Sequence, residues 1–460
     1  VRYNGKIKLY PTISIIGAPF RLLYIVFKYN SSDWEKDQRV TETIKQIKEL
    51  ECKNYKKLSN NGIIDITNSS IKIFRTIFEV RILYLPRAVL YIAILGFILL
   101  LIGKKQLLST LLFLDIETKV TETNNAINYL VSKIREDKIL FDIFTKNSAS
   151  DVSNRLKNIE NGREFLHEFQ IFLDKYGYRE SRGIMFISEP TWKESPEIVL
   201  GILKTLTSAP FHKKTKDTFE SVRDKIISQS ILRFQPLHSI FIKLLNTARH
   251  FQEIRENTRF YLMMVIPTLR RAILELGSRL TEAKILTTPQ DVFYLKFEEL
   301  TEIVKNLPLQ DVQINEWVSL ISKRKLKYNS LKNIPIVDLR LYRTQNSKEG
   351  AIAVGTPGSP GIVEGTARII HNSSEFSRLQ PDDILVAPYT NPAWTPLFET
   401  ATGVVVDTGG SMSHAAIVAR EYGIPAVMGT VDGTKKIKNG DKIRVNGTEG
   451  SVFTLDSATD

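Results

Sequence analysis

The sequence predicts a multidomain protein, with a large, mostly helical domain over residues 1–343 and a compact α/β domain over 355–460. The length of 460 residues, at about 150 per domain, corresponds to two or three domains. Apolar residues recur at helical spacing in the first part, whereas short apolar runs alternate with turns in the second. Between them, residues 344–361 (TQNSKEGAIAVGTPGSPG) are rich in Gly and Pro and form the predicted linker.

The composition is that of a globular chain, with 43% hydrophobic and 25% charged residues. It excludes a chain that is disordered throughout and a collagen-like one. The single cysteine, Cys52, excludes an intrachain disulfide framework and a cysteine-based zinc or iron–sulfur site, and it indicates a reducing, cytoplasmic compartment. The six histidines have no metal-ligand spacing, so no metal site is predicted.

The charge divides unequally between the two predicted domains. Residues 350–460 hold 8 Lys and Arg against 12 Asp and Glu, whereas the preceding 349 residues hold 55 against 38. The basic part could attract nucleic acid, a phospholipid surface or a phosphorylated ligand. Because no basic run is interleaved with aromatic residues, we do not expect nucleic acid as a partner.

An unbroken apolar run covers residues 88–102 (AVLYIAILGFILLLI), preceded by Arg87 and followed by Lys104 and Lys105. Its 15 residues are fewer than the roughly 20 of a spanning helix and more than a typical buried helix contains. We predict a helix that begins at Pro86 and is buried or membrane-associated, with 107–114 as a second apolar helix that could complete a hairpin.

The remaining elements follow from periodicity and turn residues. Residues 1–33 predict a hairpin or strand leading into a helix, and further helices are expected at 40–58, 126–144, 151–178 and 248–280. Breaks are expected at 176–196, 208–210 and 287–291. In the second domain, 384–387, 403–406 and 426–428 predict strands, 415–421 a helix, and 440–455 two strands joined by a turn.

The segment 408–425 (TGGSMSHAAIVAREYGIP) has the residues of a phosphate site. Ser411 or Ser413 could cap a helix that begins near His414, and a neutral imidazole at that place can attack phosphorus. The helix N-terminus and glycine backbone N–H groups would stabilise the incoming charge. Alternatively, His414 only caps or lines a turn. We expect the phosphate to be supported by Thr408, Gly409, Gly410, Ser413 and Arg420.

With 359–365, Asn391-Pro392 and Trp394-Thr395-Pro396, this segment resembles the phosphohistidine "swivelling" domain of phosphoenolpyruvate-utilising enzymes, such as phosphoenolpyruvate synthase and rifampicin phosphotransferase. The resemblance covers 355–455. It implies that His414 is transiently phosphorylated while the domain moves between two active sites. In the dikinase branch a regulatory Thr lies two residues before the His. Here that position is Met412, so control of that type should be absent.

The helical part also resembles this family, in 172–192, 249–259 and 274–300, which are similar to the substrate-binding domain of rifampicin phosphotransferases. The segment 249–259 offers a candidate acceptor pocket formed by Arg249, Arg255 and Arg259, or alternatively a set of surface i,i+4 ion pairs. Relatives commonly have a His and an acidic pair after the turn at 175–177. This chain has Tyr178, Ile184 and Phe186 instead, which puts the substrate in question.

Family members charge the His through an N-terminal ATP-grasp domain, and no phosphate loop or ATP–magnesium constellation precedes the His domain here. We therefore expect no cofactor on this chain alone, with ATP and Mg²⁺ supplied through a separate ATP-grasp subunit and a small molecule as phosphoryl acceptor. Two hypotheses remain open. One is a cytoplasmic phosphotransferase component, and the other is a non-catalytic relic or regulatory binding protein that is membrane-associated through 88–102.

Overall fold

The computed structural model describes residues 18–179, 187–208, 218–331, 350–411 and 413–455. The chain forms two compact units. One comprises Val1–Lys45, Arg75–Ile116 and Phe219–Thr258, and the other comprises Gln46–Phe74, Glu117–Thr218 and Arg259–Asp460. The predicted fold class is confirmed, since a long helical region precedes a mixed sheet. The domain boundaries drawn at 343 and 355, together with the lead-in before residue 18 and most of the linker, lie outside the described residues.

Up to residue 331, the elements of the described chain are helices joined by short connecting segments. They are α1 (Ala18–Lys28), α2 (Gln38–Glu51), α3 (Asn60–Leu101), α4 (Leu108–Phe113), α5 (Lys119–Glu136), α6 (Lys138–Lys146), α7 (Ala149–Lys157), α8 (Glu160–Tyr176), α9 (Pro196–Ser208), α10 (Phe219–Ser228), α11 (Leu237–Glu282), α12 (Phe297–Lys305) and α13 (Asp311–Leu331).

The prediction that a helix begins at Pro86 is wrong, because Pro86 lies inside the 42-residue helix α3. A proline within a helix removes one hydrogen bond and costs about 3 kcal/mol. Here the neighbouring turns are held by packing, since Tyr84 is 8% exposed and Ala88 is fully buried. Burial on both sides of the proline therefore overrides the local preference. The second apolar stretch forms the short helix α4.

Two predicted helices are each divided by a cap. The 126–144 stretch is broken at Asp137, whose carboxylate accepts hydrogen bonds from the backbone N–H groups of Ile139 (2.7 Å) and Leu140 (3.1 Å) and so starts α6. The 151–178 stretch is broken near Asn158, where α7 ends. Apolar periodicity continues through both breaks, which is why it did not reveal them.

The strands of the described chain all lie after Gly350. They are β1 (Ala353–Val354), β2 (Thr356–Ser359), β3 (Ile362–Ile369), β4 (Asp383–Ala387), β5 (Gly403–Val406), β6 (Ala426–Met428), β7 (Lys442–Asn446) and β8 (Ser451–Thr454). They form one sheet in the order β1-β8-β7-β3-β4-β5-β6-β2. Strands β3, β4, β5 and β6 are parallel, and the outer pairs are antiparallel. The predicted strands, including the final hairpin, are confirmed.

One face of this sheet forms an apolar core, in which Ile384, Val405 and Ile443 are completely buried. The helix α14 (His414–Tyr422) connects β5 to β6 and buries Ala415, Ala416 and Val418. It ends at Gly423, which has a φ of 67°, a left-handed conformation that glycine adopts without a steric cost. This β5–α14–β6 crossover fixes the place of His414.

Within the second unit, Arg324 of α13 ties that helix to α12. Its guanidinium donates to both carboxylate oxygens of Glu299, at 2.6 and 2.7 Å, and to the carbonyl of Tyr294 at 3.0 Å. Glu299 also accepts the backbone N–H of Lys296 at 2.8 Å. The hydrogen bonds and charge of Arg324 lower the pKa of Glu299 to about 2.

Replacing Glu299 by Gln should lower the free energy of unfolding at pH 7 by about 1–3 kcal/mol, because a charge-assisted bidentate pair is lost. The wild-type contribution is present above the unfolded pKa of Glu and is lost as pH falls from about 5 towards 2. Denaturant titrations between pH 7 and pH 3 should therefore show the two proteins converging in stability as the solution becomes acidic. A constant difference across that range would contradict this role.

Candidate functional site

His414 is the first residue of α14, at the carboxyl edge of the parallel strands. Strand β5 ends at Val406, the chain turns through 407–413, and α14 returns it to the parallel strand β6. Ligands of open α/β sheets bind at this edge, where helix N-termini also meet. The location predicted for the phosphate-binding imidazole is therefore the one that this fold favours.

The turn before His414 depends on Gly409, which has a φ of 99°. A side chain there would be strained, and its Cβ would lie 2.9 Å from the Cβ of Ser413. The backbone N–H of Ser413 donates to the carbonyl of Gly410 at 2.9 Å, which closes the turn. Of the two predicted caps, Ser413 occupies the N-cap position.

Ser413 does not use its hydroxyl as a cap. Its side chain accepts no backbone hydrogen bond, and its Oγ is buried without a hydrogen-bond partner among the described residues. The first N–H groups of a helix have no partner within the helix, and here the cap residue does not occupy them. The start of α14 thus has backbone N–H donors that no side-chain cap occupies, and such donors are the kind of group that binds anions.

The imidazole of His414 is oriented by Thr395, whose Oγ1 lies 3.2 Å from Nε2. Thr395 is 1% exposed and lies in the 3₁₀ segment Pro392–Glu399, which follows β4. Sequence reasoning used Thr395 as part of a family motif and did not identify it as a site residue. The signal that could have found it is its place after the neighbouring parallel strand, at the same sheet edge as His414.

Two further contacts hold the loops that surround the imidazole. Thr408 donates its hydroxyl to the carbonyl of Pro388 at 3.1 Å, which joins the loops that follow β5 and β4. Asp407 accepts hydrogen bonds from the hydroxyl of Thr430, at 2.8 Å, and from the backbone and hydroxyl of Thr434. Thr408 therefore links the two loops at the edge of the sheet where His414 lies.

Arg420 lies six residues beyond His414, about 9 Å along the helix axis. Burial lowers the pKa of its guanidinium, and its Nη1 has no hydrogen-bond partner among the described residues. Gly410 has open space where a side chain would project. Of the predicted phosphate-supporting residues, the structure brings Gly409, Gly410 and Ser413 together at the helix start, with Thr408 beside them and Arg420 at the far end of α14.

The arginines of the candidate acceptor pocket lie on α11. Arg249 donates to the carbonyls of Leu111 (2.7 Å) and Leu114 (2.9 Å), and its guanidinium stacks 3.7 Å from the ring centroid of Phe219. Burial lowers the pKa of Arg249 to about 10. The guanidinium N–H groups of Arg249 therefore form hydrogen bonds within the protein.

Arg255 pairs with the adjacent Glu256 at 2.8 Å, and His250 bonds to Glu253 at 2.8 Å. These contacts are not the i,i+4 pairs that we considered as an alternative. Arg259 lies in the other compact unit from Arg249 and Arg255. An acceptor pocket built on the three arginines remains a prediction.

Tyr178, which replaces a commonly found His, is buried and donates to Glu51 at 3.2 Å. Burial raises its pKa, and Glu51 raises it further. The neighbouring Arg179 donates to Thr123 at 2.9 Å. Trp192, which is 1% exposed, donates its backbone N–H to the carbonyl of Arg179 at 3.0 Å. This stretch is thus closely packed, while the other departures, Ile184, Phe186 and Met412, lie outside the described residues.

Within the described ranges, no group of three or more His, Cys, Asp or Glu side chains could hold a metal ion. Near His414 the described groups are the imidazole, hydroxyls and backbone N–H donors, which are groups that can bind an anion.

Comparisons with known proteins agree with this geometry. Residues 379–450 match the family "PEP-utilising enzyme, mobile domain", and residues 86–256 match the family "Rifampicin phosphotransferase fourth domain". The chain is 31% identical to a rifampicin phosphotransferase of Bacillus subtilis, over 74% of this chain and 39% of that protein. It is 28% identical to one of Streptomyces sviceus, over 77% of this chain and 42% of that protein.

A probable phosphoenolpyruvate synthase of Pyrococcus horikoshii is 37% identical over 39% of this chain and 21% of its own length. The chain thus spans about two fifths of the length of the rifampicin phosphotransferases that it matches. The two family matches follow one another in the order expected from the sequence. The chain therefore carries, in this order, a segment that matches the rifampicin phosphotransferase fourth domain and one that matches the mobile domain of the phosphoenolpyruvate-utilising enzymes.

Proposed function

We propose that this chain is a phosphotransferase component that carries a phosphoryl group on His414. The observation that carries the proposal is the imidazole at the first position of α14, with its Nε2 at 3.2 Å from the Thr395 hydroxyl. The similarity to phosphotransferases supports it. Since the chain spans only part of those proteins, the donor and the acceptor are part of the proposal.

In the proposed transfer, the lone pair of Nε2 attacks phosphorus, and an N–P bond forms as a P–O bond of the donor breaks. The Thr395 hydroxyl contacts Nε2 in the resting geometry, with the proton of the neutral ring on the other nitrogen, and Nε2 leaves this contact before it attacks. The first-turn N–H groups and the Ser413 hydroxyl stabilise the phosphoryl oxygens. Attack by an acceptor oxygen then breaks the N–P bond and restores the neutral imidazole.

The donor in this proposal is the β-phosphate of ATP, bound with Mg²⁺ on an ATP-grasp domain outside this sequence; the bond between the α- and β-phosphates breaks with AMP as the leaving group, and water removes the γ-phosphate as inorganic phosphate. The acceptor is a small molecule that offers an oxygen nucleophile. Two relatives are named rifampicin phosphotransferases, which supports a small organic acceptor over a protein. Arg249 and Tyr178 form hydrogen bonds within the protein, which supports a structural role for them rather than contact with the phosphoryl group.

A second candidate role, attachment to a membrane surface, rests on the outer face of α3. This is a helix among the described residues that is long and apolar enough to span a membrane, and its most apolar window has a mean hydropathy of 2.1 yet is only 22% buried. Residues of one face, including Ile77, Val80 and Leu95, are buried. On the other face Phe97 is 60% exposed and Leu101 70% exposed.

A helix with one protein-facing and one exposed apolar side does not need to span a bilayer, but it can lie in its interface. Helix α1 also exposes apolar side chains, with Phe20 at 73% and Phe27 at 76%. Basic residues accompany both helices, namely Arg21, Lys28, Arg87, Lys104 and Lys105. This charge is complementary to anionic lipid headgroups, so we propose an anionic membrane surface as the occupant of this face.

Incubation of the tagged chain with β-³²P-ATP in its native lysate should label the protein with acid-labile, base-stable phosphate. The His414→Ala variant should carry no label. His371→Ala, which alters an exposed histidine of the same α/β part, should label like wild type. Label that persists in His414→Ala, or label absent from wild type while a full-length relative is labelled, would reject the phosphoryl-carrier role.

Replacing Thr395 by Val should slow the labelling of His414 by about 10-fold, because the isosteric side chain fills the same buried space but no longer orients Nε2. Thr402→Val, at a half-buried position of the same α/β part whose hydroxyl contacts only backbone carbonyls, serves as the matched control. The measurement is the initial rate of label incorporation at equal amounts of folded protein, verified by circular dichroism. An unchanged rate in Thr395→Val would show that the hydroxyl does not position the imidazole.

The membrane proposal predicts that the chain floats with vesicles of phosphatidylcholine and phosphatidylglycerol, and less with phosphatidylcholine alone. Combined Phe97→Glu and Leu101→Glu substitutions should abolish flotation, whereas Ile171→Glu, at another exposed apolar site, should not. Light scattering would be measured in parallel. Wild-type protein that does not float, or that covers this face by forming a dimer, would refute membrane attachment.

A further inference from the structure

The segment Pro392–Glu399 connects the sheet to the helical part of the same compact unit. It packs against helices α5 and α9 as well as against α14. Trp394 and Phe398 are completely buried, and Leu397 is 1% exposed. The segment therefore forms an apolar contact that holds the α/β part against two helices.

At the end of this segment, Glu399 makes a polar contact across that junction. Its Oε1 accepts a hydrogen bond from the Nδ2 of Asn128, on α5, at 3.0 Å. The same oxygen accepts the hydroxyl of Tyr422, at the last position of α14, at 2.9 Å. Glu399 is thus bound on one side to its own domain and on the other side to the helical part.

The charged and titratable groups facing Glu399 come from both sides. Arg135 of α5 lies near enough to interact with it electrostatically, and donates to the carbonyls of Leu206 and Thr207. Tyr422 is half-buried, and burial together with Glu399 raises the pKa of its hydroxyl. It therefore remains a donor near neutral pH and keeps the carboxylate in place on the α/β side.

The segment that bears Glu399 also bears Thr395, which contacts His414. Three residues of a 3₁₀ segment separate Thr395, which contacts the imidazole, from Glu399, which contacts α5. Undocking from α5 and α9 would change the environment of the segment that orients the imidazole. The family match describes this part of the chain as a mobile domain.

We propose that the hydrogen bond from Asn128 to Glu399 is a latch that holds the mobile domain in its docked position on α5 and α9. Breaking it releases the domain, so that His414 can reach a distant phosphoryl donor. This inference rests on the proposed function for its purpose, but the docking equilibrium exists whether or not His414 is phosphorylated. Glu399 and Asn128 are positioning residues in this account.

The latch can be weakened from the helical side, without changing the α/β part. Asn128→Ala removes the donor, and Ala favours the helix. Asn128→Asp places a carboxylate beside Glu399, which should favour release more strongly. Asn125 is an exposed position on the same helix, so Asn125→Ala and Asn125→Asp are matched controls.

The test is single-molecule energy transfer between a dye on the exposed Cys52 and a dye introduced by Lys438→Cys, both within the same compact unit. Wild type should show mainly one docked population. Asn128→Ala should increase the ratio of released to docked molecules by about 10-fold, and Asn128→Asp by more. The two Asn125 variants should match wild type. Thermal unfolding of each variant confirms that it is folded.

Unchanged distributions in both folded Asn128 variants would overturn the latch. A second readout separates this outcome from failure of the phosphoryl-carrier role. If the latch and the carrier role both hold, Asn128→Asp should also change the rate of label incorporation at His414 by several-fold in the lysate assay. If the energy-transfer distributions shift but wild type never labels, the latch stands and the carrier role fails.

Discussion

The start of helix α14 is the constraint on which the proposed chemistry depends. A phosphoryl carrier needs a neutral imidazole nitrogen that is exposed enough to react and still fixed in direction. The features that bear on this need are a tight turn at Gly409, a serine cap whose hydroxyl is not used as a cap, and a buried threonine that contacts Nε2 in the resting geometry. The helix N-terminus favours negative charge, and the rearrangement that the proposed transfer requires is the release of Nε2 from Thr395.

The sheet explains why these groups meet. Parallel pairing of β4 with β5 brings the loops after the two strands to one edge, and these loops carry Thr395 and His414. The hydroxyl of Thr408 then joins these two loops, and the carboxylate of Asp407 joins the loop after β5 to the loop after β6. The same loop after β4 extends to Glu399 and Asn128, so that the geometry of the site and the docking of the domain share one segment.

Elements could be predicted from the sequence where neighbouring residues determine them. His414, its cap and its helix follow from a short stretch of small residues and turn formers, and the strands follow from short apolar runs. Thr395 could not be assigned because its contact with His414 depends on which strands pair. The bond between Asn128 and Glu399 joins residues 271 positions apart, which no local pattern encodes. Pro86 shows the opposite case, in which packing overrides a strong local rule.

The reactivity of His414 as an isolated chemical group is the most direct test of the account. Purified chain would be treated with phosphoramidate, a small phosphoryl donor that needs no enzyme, and followed by ³¹P NMR with peptide mapping. The account predicts that His414 is phosphorylated on Nε2 and reacts faster than the other five histidines. Reaction of His414 on Nδ1, or at a rate no higher than that of the exposed His371, would contradict it.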